Sequence, residues 1–292
     1  MTKLVYVNGS LVSQAEAKIS VFDYGLLYGY GLFETMRAYG GRLFRLEEHL
    51  ERLFRGAQII GIGIPVTKAQ ITEAMGQVLA ANGLKDAYIR ISFTYGEGPP
   101  GLRLSESESS KPNFIIMVDE LPKILTVRRE KGIKVLIAST RQNQLSPLTT
   151  VKSLNFLNNI MARREAIAKG FDDAILRDGD GFVAEASTSN IFLVSNNQLI
   201  TPSERCGILL GITRKVVMEL AEKLGFDVFE KETPIAELMA AEECFLTNSI
   251  VELTPVVQIN EKSIGDGNPG KITKVLHAAY KKLVDEEIGS GN

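Results

Sequence analysis

The sequence predicts an α+β protein of two domains, and three observations carry that reading. At 292 residues, 45% hydrophobic and 23% charged, the chain has ordinary globular composition but exceeds the usual reach of one core. Segments with the two-residue period of strands and segments with the 3.6-residue period of helices occur in both halves, without strict βαβ alternation. A charged, proline-bearing run, "DELPKILTVRREKG", separates the halves. The expected domains are residues 1–120 and 132–292, joined by a linker over 121–131, with Lys152 on the second.

The elements follow in order. "KLVYV" (3–7) reads as a strand. Leu46, Leu50, Leu53, Phe54 and Ala57 repeat at helical spacing until Gly61. Thr67 caps a second helix carrying Ile71, Met75, Val78 and Leu79, closed by Asn82-Gly83. In "YIRISFTY" (88–95), Ile89, Ile91 and Phe93 alternate with Arg90, Ser92 and Thr94, as in a half-buried strand. "SESESS" (105–110) is a polar loop and "FIIMV" (114–118) a short buried strand.

The second half opens with the strand "IKVLIA" (133–138). A polar loop then leads to an apolar helix pattern with Lys152 at its edge, ended by Gly170. "DDAILRD", "NIFLV" and "QLITP" are strands, and "GDG" (179–181) is a hairpin turn. A helix from about Thr213 places Val216, Val217, Leu220 and Leu224 on one stripe. "CFLT" (244–247) is a strand, and a last helix over 271–285 carries Ile272, Val275, Leu276, Ala279 and Leu283.

Composition excludes several functions. Thirty-three basic against 35 acidic residues, with no basic block, give no concentrated positive field for nucleic acid. No apolar run approaches the ~20 residues that span a bilayer, and "MTKLVYVNGS" lacks a secretory apolar region. Cys206 and Cys244 cannot form a disulfide framework, so a reducing cytoplasm is expected. No Cys or His pair has metal-site spacing. The two histidines, His49 and His277, sit in helical patterns on what read as solvated or packing faces, away from any nucleophile motif. Proton transfer in an enzyme of this composition falls to lysine or a cofactor.

Three stretches could carry chemistry. In "GILLGITRK" (207–215) a glycine and Thr213 lead into a helix, either as a plain cap or as an anion site of free N–H groups. "CFLTNSIVELTP" (244–255) breaks at Thr247, Asn248 and Ser249, either a turn or a second phosphate cradle. In "GFVAEASTSNIF" (181–192), Glu185 is either a hydrated edge acid, the usual fate of glutamate, or an ion-paired interior one.

Lysine, acid, glycine-led helix start and polar strand end, in that order, resemble the fold-type IV pyridoxal phosphate enzymes, the class IV aminotransferases. The resemblance runs from "YGYGLFETMRAYGGRLFRLEEHLERL" (28–53), through "KSLNFLNNIMARREA" and "EASTSNIF", to "GITR" and "ELTPV". It implies a small N-terminal and a larger C-terminal domain and pyridoxal 5'-phosphate as cofactor. It places Lys152 on the Schiff-base lysine and Glu185 on the acid beside the pyridine nitrogen. Arg52, Thr213 and Ser249 fall on phosphate-binding positions, with backbone N–H groups around Ile212 and Asn248.

"AYIR" (87–90) is similar to the branched-chain enzymes, which puts Tyr88 and Arg90 near substrate. Phe33 matches a pocket-wall aromatic and Tyr28 a tyrosine supplied across a dimer interface. Ile250 and Arg37 join the expected substrate residues. Pro100 and Leu102 stand where D-specific members carry an Arg-x-His trap. Two departures stand out: Thr35 replaces the usual glycine, and Phe156 stands near a tyrosine that bonds the ring oxygen. The resemblance implies a cytoplasmic homodimer or higher oligomer that transfers amino groups between branched-chain L-amino acids and 2-oxoglutarate by a ping-pong mechanism. Aminodeoxychorismate lyase, D-amino acid or (R)-amine transaminase, and a phosphate-ligand binding protein without chemistry are the alternatives.

Overall fold

The computed structural model describes residues 3–99, 101 and 111–289. The 105–110 loop and the positions Pro100 and Leu102 lie outside the described residues. The chain forms two compact units: Met1–Leu121 with Val151–Asn155, and Pro122–Thr150 with Phe156–Asn292.

The first unit contains β1 (Leu4–Val7), β2 (Ser10–Ser13), α1 (Tyr24–Tyr28), β3 (Gly31–Tyr39) and β4 (Arg42–Leu43). It continues with α2 (Leu46–Ile59), α3 (Lys68–Ala81), β5 (Ala87–Thr94) and β6 (Phe114–Glu120). Its antiparallel sheet runs β2-β1-β6-β5-β3-β4. Ile89, Ile91 and Phe93 are buried as their alternation requires, against Leu50 and Leu53 of α2 and Ile71, Met75 and Val78 of α3. Thr67 and Gln70 form a reciprocal capping box at the start of α3.

The second unit contains α4 (Ile124–Lys131), β7 (Ile133–Arg141), α5 (Leu157–Ala168), β8 (Asp173–Arg177), β9 (Val183–Ala186), β10 (Asn190–Ser195) and β11 (Gln198–Pro202). There follow α6 (Ile212–Lys223), β12 (Asp227–Lys231), α7 (Ile235–Ala240), β13 (Glu243–Asn248), β14 (Glu252–Ile259), β15 (Lys262–Ser263) and α8 (Lys271–Gly289). The sheet runs β12-β11-β10-β13-β14-β7-β8-β9, with β15 on β14. Parallel pairs β11–β12, β14–β7 and β7–β8 sit among antiparallel ones, so the architecture is mixed. Phe192 and Phe245 stack at 5.1 Å across β10 and β13.

Two expectations need correction. The stretch read as a linker over 121–131 contains a helix, α4, grouped with the second unit. Arg128, Arg129 and Lys131 in its last turn suit the negative end of the helix dipole, and Arg128 and Arg129 pair with Asp172 and Glu252. Lys152 is not on a helix. Residues 151–155 group with the first unit, where Phe33 donates its N–H to the Lys152 carbonyl and Leu154 to that of Gly31, both at 2.9 Å. Helix α5 starts only at Leu157, because backbone pairing with β3 keeps the preceding residues extended. His277 takes the packing side of its expectation. Its Nε2 lies 2.9 Å from the fully buried Glu252, which also meets Arg129 at 2.8 Å and Lys281 at 3.4 Å.

Candidate active site

The first unit gathers most of the expected substrate residues on one face of its sheet. Phe33, Thr35 and Arg37 alternate along β3, and the register sets Ser92, Arg90 and Tyr88 of β5 directly opposite them. Directly opposed residues share a face, so the set forms a two-strand patch. The Arg90 guanidinium lies 3.7 Å from the centroid of the Phe33 ring, and its Nε donates to Ser92 Oγ at 3.3 Å. The Lys152 ammonium is 4.7 Å from the same ring. Two cations thus lie over one aromatic ring, which holds them near an apolar wall. Arg37 rests on the Tyr39 ring at 4.5 Å. Tyr28 ends α1, half-exposed, its ring edge-on to Tyr24.

Arg52 lies behind that face, buried on α2. Its Nε and Nη2 donate to the two oxygens of Glu34 at 2.7 and 2.8 Å, a bidentate pair. Glu34 alternates to the helix side of β3, so the strand period that turns Phe33 and Thr35 to the opposite face buries Glu34 between them. His49 Nδ1 meets Glu34 Oε2 at 2.8 Å. Burial alone would raise the Glu34 carboxyl, but the Arg52 charge and the hydrogen bonds from Arg52 and His49 outweigh it and hold the acid well below the usual carboxylate range. Burial lowers the His49 imidazole below its ordinary value, and the Arg52 and Lys152 charges add to that. His49 is therefore on the packing side of α2, one of the two fates its helical pattern allowed, and is buried against Glu34.

The second unit carries the remaining expected residues. Glu185 is buried, not a hydrated edge acid. Its Oε2 accepts from the Leu209 N–H at 3.1 Å and from Asn190 Nδ2 at 3.3 Å. Helix α6 begins after Gly211, and no side chain caps its first turn. Thr213 is its second residue and is buried, so it does not cap the helix. At the end of β13, Asn248 Oδ1 accepts from the N–H groups of Ile250 and Val251, both at 2.9 Å, folding Ser249 and Ile250 into a tight turn. Asn248 Nδ2 reaches Thr188 and Ser189, which ties this turn to the loop after Glu185. Phe156 precedes α5 and is half-buried.

These residues fit a pyridoxal phosphate. The Thr247 hydroxyl is buried without a hydrogen-bond partner among the described residues, and α6 offers an uncapped first turn. Within the first unit a lysine and a buried arginine, and within the second a buried acid and hydroxyl residues, are each of the kinds the group requires. Two features escaped the sequence reading. Glu34 lies inside the N-terminal motif and Asn190 inside "EASTSNIF", and only the fold shows what either touches. Cys206 and Cys244 are buried and free, and burial pushes the Cys206 thiol up to about 11, which makes it a poor nucleophile. Among the described residues, no cluster could hold a metal and no helix is long and apolar enough to cross a membrane.

Residues 31–259 match the family described as amino-transferase class IV. A putative branched-chain-amino-acid aminotransferase of Methanocaldococcus jannaschii is 40% identical over 280 residues, 96% of each chain. An aminodeoxychorismate lyase of Bacillus subtilis is 34% identical over 286 residues, covering 98% of this chain and 96% of that one. Among solved structures, a T.th. branched-chain amino acid aminotransferase complexed with N-(5'-phosphopyridoxyl)-L-glutamate superposes with a TM-score of 0.88. It is 30% identical, and the match covers 97% of this chain and 94% of that one.

Proposed function

The chain belongs to the class IV aminotransferase family, and we propose that it transfers amino groups between branched-chain L-amino acids and 2-oxoglutarate, using pyridoxal 5'-phosphate in a ping-pong cycle. The observation that carries this reading is the β3–β5 face, where an apolar wall, Phe33, stands beside Arg90 and the Lys152 ammonium. An aliphatic side chain suits Phe33 and Thr35, at about 0.8 kcal/mol per buried methylene. A second carboxylate suits Arg90 or Arg37. The relative in complex with a phosphopyridoxyl-glutamate supports both the cofactor and a dicarboxylic partner.

Bound pyridoxal phosphate supplies an electron sink conjugated to the amino group of the substrate. Lys152 would hold the group through its side-chain amine and, as a free amine, would move the proton at the substrate α-carbon. Glu185 keeps the proton on the ring nitrogen, because a buried carboxylate favours a cation beside it. Arg52, Thr213, Ser249 and the N–H groups of Ile212 and Asn248 hold the phosphate. The Nε and Nη2 of Arg52 are committed to Glu34, which fixes the orientation of the guanidinium. Tyr88, Tyr28 and Ile250 complete the substrate walls, Tyr28 reaching a neighbouring copy.

The assembly is a cytoplasmic homodimer or larger in this reading. Val21, Phe22, Leu26 and Leu27 lie exposed beside Tyr28, an apolar run suited to a second copy. The free buried cysteines suit a reducing compartment. The test is a substrate screen on purified holoenzyme. Borohydride should bleach a cofactor band, and leucine with 2-oxoglutarate should yield glutamate. A protein inert to every branched-chain amino acid, yet releasing pyruvate from aminodeoxychorismate, is instead a lyase like the B. subtilis relative.

A further inference from the structure

Asn190 opens β10, five residues after Glu185, and it is buried. Its Nδ2 donates to Glu185 Oε2 at 3.3 Å and to the Leu209 carbonyl at 2.8 Å. The Leu209 N–H in turn donates to the same Glu185 oxygen at 3.1 Å. One carboxylate, one side-chain amide and the backbone of one residue, Leu209, thus close a small ring of hydrogen bonds. The orientation of the amide is chemically fixed, since the flipped form would set its carbonyl oxygen against a carboxylate and a peptide carbonyl.

That orientation turns Asn190 Oδ1 toward Gly211, the residue immediately before α6. A Cβ on Gly211 would lie 2.1 Å from Oδ1, closer than any real contact. Gly211 has φ −71°, a value open to every residue, so its glycine serves space and not backbone conformation. Across the ladder Asn190 is paired with Thr247, whose buried hydroxyl has no protein partner among the described residues. The loop between Glu185 and Asn190 is itself pinned, with Asn159 donating to the Ser187 carbonyl at 3.0 Å and Asn248 to that of Thr188 at 3.1 Å.

We propose that Asn190 is a positioning residue for the reaction, whose amide locks the Glu185 carboxylate and the Leu209–Gly211 lead into α6 in one arrangement. The inference rests on the functional reading above, in which Glu185 serves the ring nitrogen and the first turn of α6 the phosphate. One side chain then sets the distance between the groups that grip opposite ends of the cofactor. A lost hydrogen bond to a charged group is worth about tenfold in affinity.

The test uses Asn190→Ala, Gly211→Ala and the double variant, each stripped of cofactor and titrated with pyridoxal phosphate by fluorescence. Asn190→Ala should raise the cofactor Kd about tenfold and lower kcat with leucine while leaving KM nearly unchanged. Gly211→Ala should weaken cofactor binding through its clash, and adding it to Asn190→Ala should cost little more, because the clashing oxygen is gone. A merely structural asparagine would lower the melting temperature of the cofactor-free protein and leave Kd unchanged. That result, or additive losses in the double variant, overturns the proposal. If the unaltered protein binds no pyridoxal phosphate, the functional reading itself fails. Binding by the unaltered protein with unchanged affinity in Asn190→Ala sinks only the role of Asn190.

Discussion

Arg52 is held by Glu34 through two parallel hydrogen bonds, 2.7 and 2.8 Å long, inside the first unit. A buried arginine needs such a partner, because an uncompensated charge in an apolar interior is strongly disfavoured. The pair also fixes which edge of the guanidinium faces away from the strand. Glu34→Gln should destabilise the protein by about 3–5 kcal/mol, the cost typical of breaking a buried pair. Its denaturant midpoint reports this directly, and a midpoint equal to that of the unaltered protein would show the pair to be energetically idle.

The same cluster sets an acid limit. His49 has a folded-state value below its ordinary 6.5, so its contribution to stability is complete above pH 6.5 and declines as pH falls below it. Glu34 is depressed below its ordinary 4.5, so its contribution is complete above pH 4.5 and is lost as pH falls further. Stability should therefore drop in two stages on acidification. In His49→Gln the upper stage should be reduced, which melting curves collected from pH 7 to 4 will show. An unchanged upper slope in that variant would assign it to other groups.

Lys152→Ala should abolish transamination while the fold and phosphate-dependent cofactor binding persist. The side chain of Lys152 is half-buried, and its backbone bonds to β3 do not depend on it. Near-normal turnover without an added amine would remove Lys152 from the chemistry.

Glu185→Gln should keep the cofactor but lose about 2–4 kcal/mol of transition-state stabilisation, since a neutral amide cannot hold the ring proton. The same change weakens what Leu209 and Asn190 donate to. A kcat within about twofold of the unaltered enzyme would be too small for that role.

Arg90→Leu should harm 2-oxoglutarate more than leucine, because the arginine lies over Phe33 where a second carboxylate can meet it. Thr35→Gly, directly across the ladder from Arg90, should widen acceptance of bulky side chains. The comparison is kcat/KM for both substrates in both variants. Equal losses in Arg90→Leu would mean that Arg90 does not distinguish them.

Much of the protein was determined by local sequence. The two-residue period of "YIRISFTY" decides which side of β5 is buried, and the Thr67–Gln70 pair decides where α3 begins, because both depend on neighbours a few residues away. The order of the lysine, acid, helix-start and strand-end blocks fixed the family. Tertiary structure decided what each side chain is for. Glu185 reads as an edge acid until β10 and the Leu209 segment enclose it, and Glu34 and His49 acquire their meaning only when α2 closes on β3. Lys152 looks helical from its neighbours, yet pairing with β3 takes its backbone. Propensity and period act over a few residues, whereas burial and charge pairing are set by whichever distant segment arrives, such as Arg52 meeting Glu34 eighteen residues away.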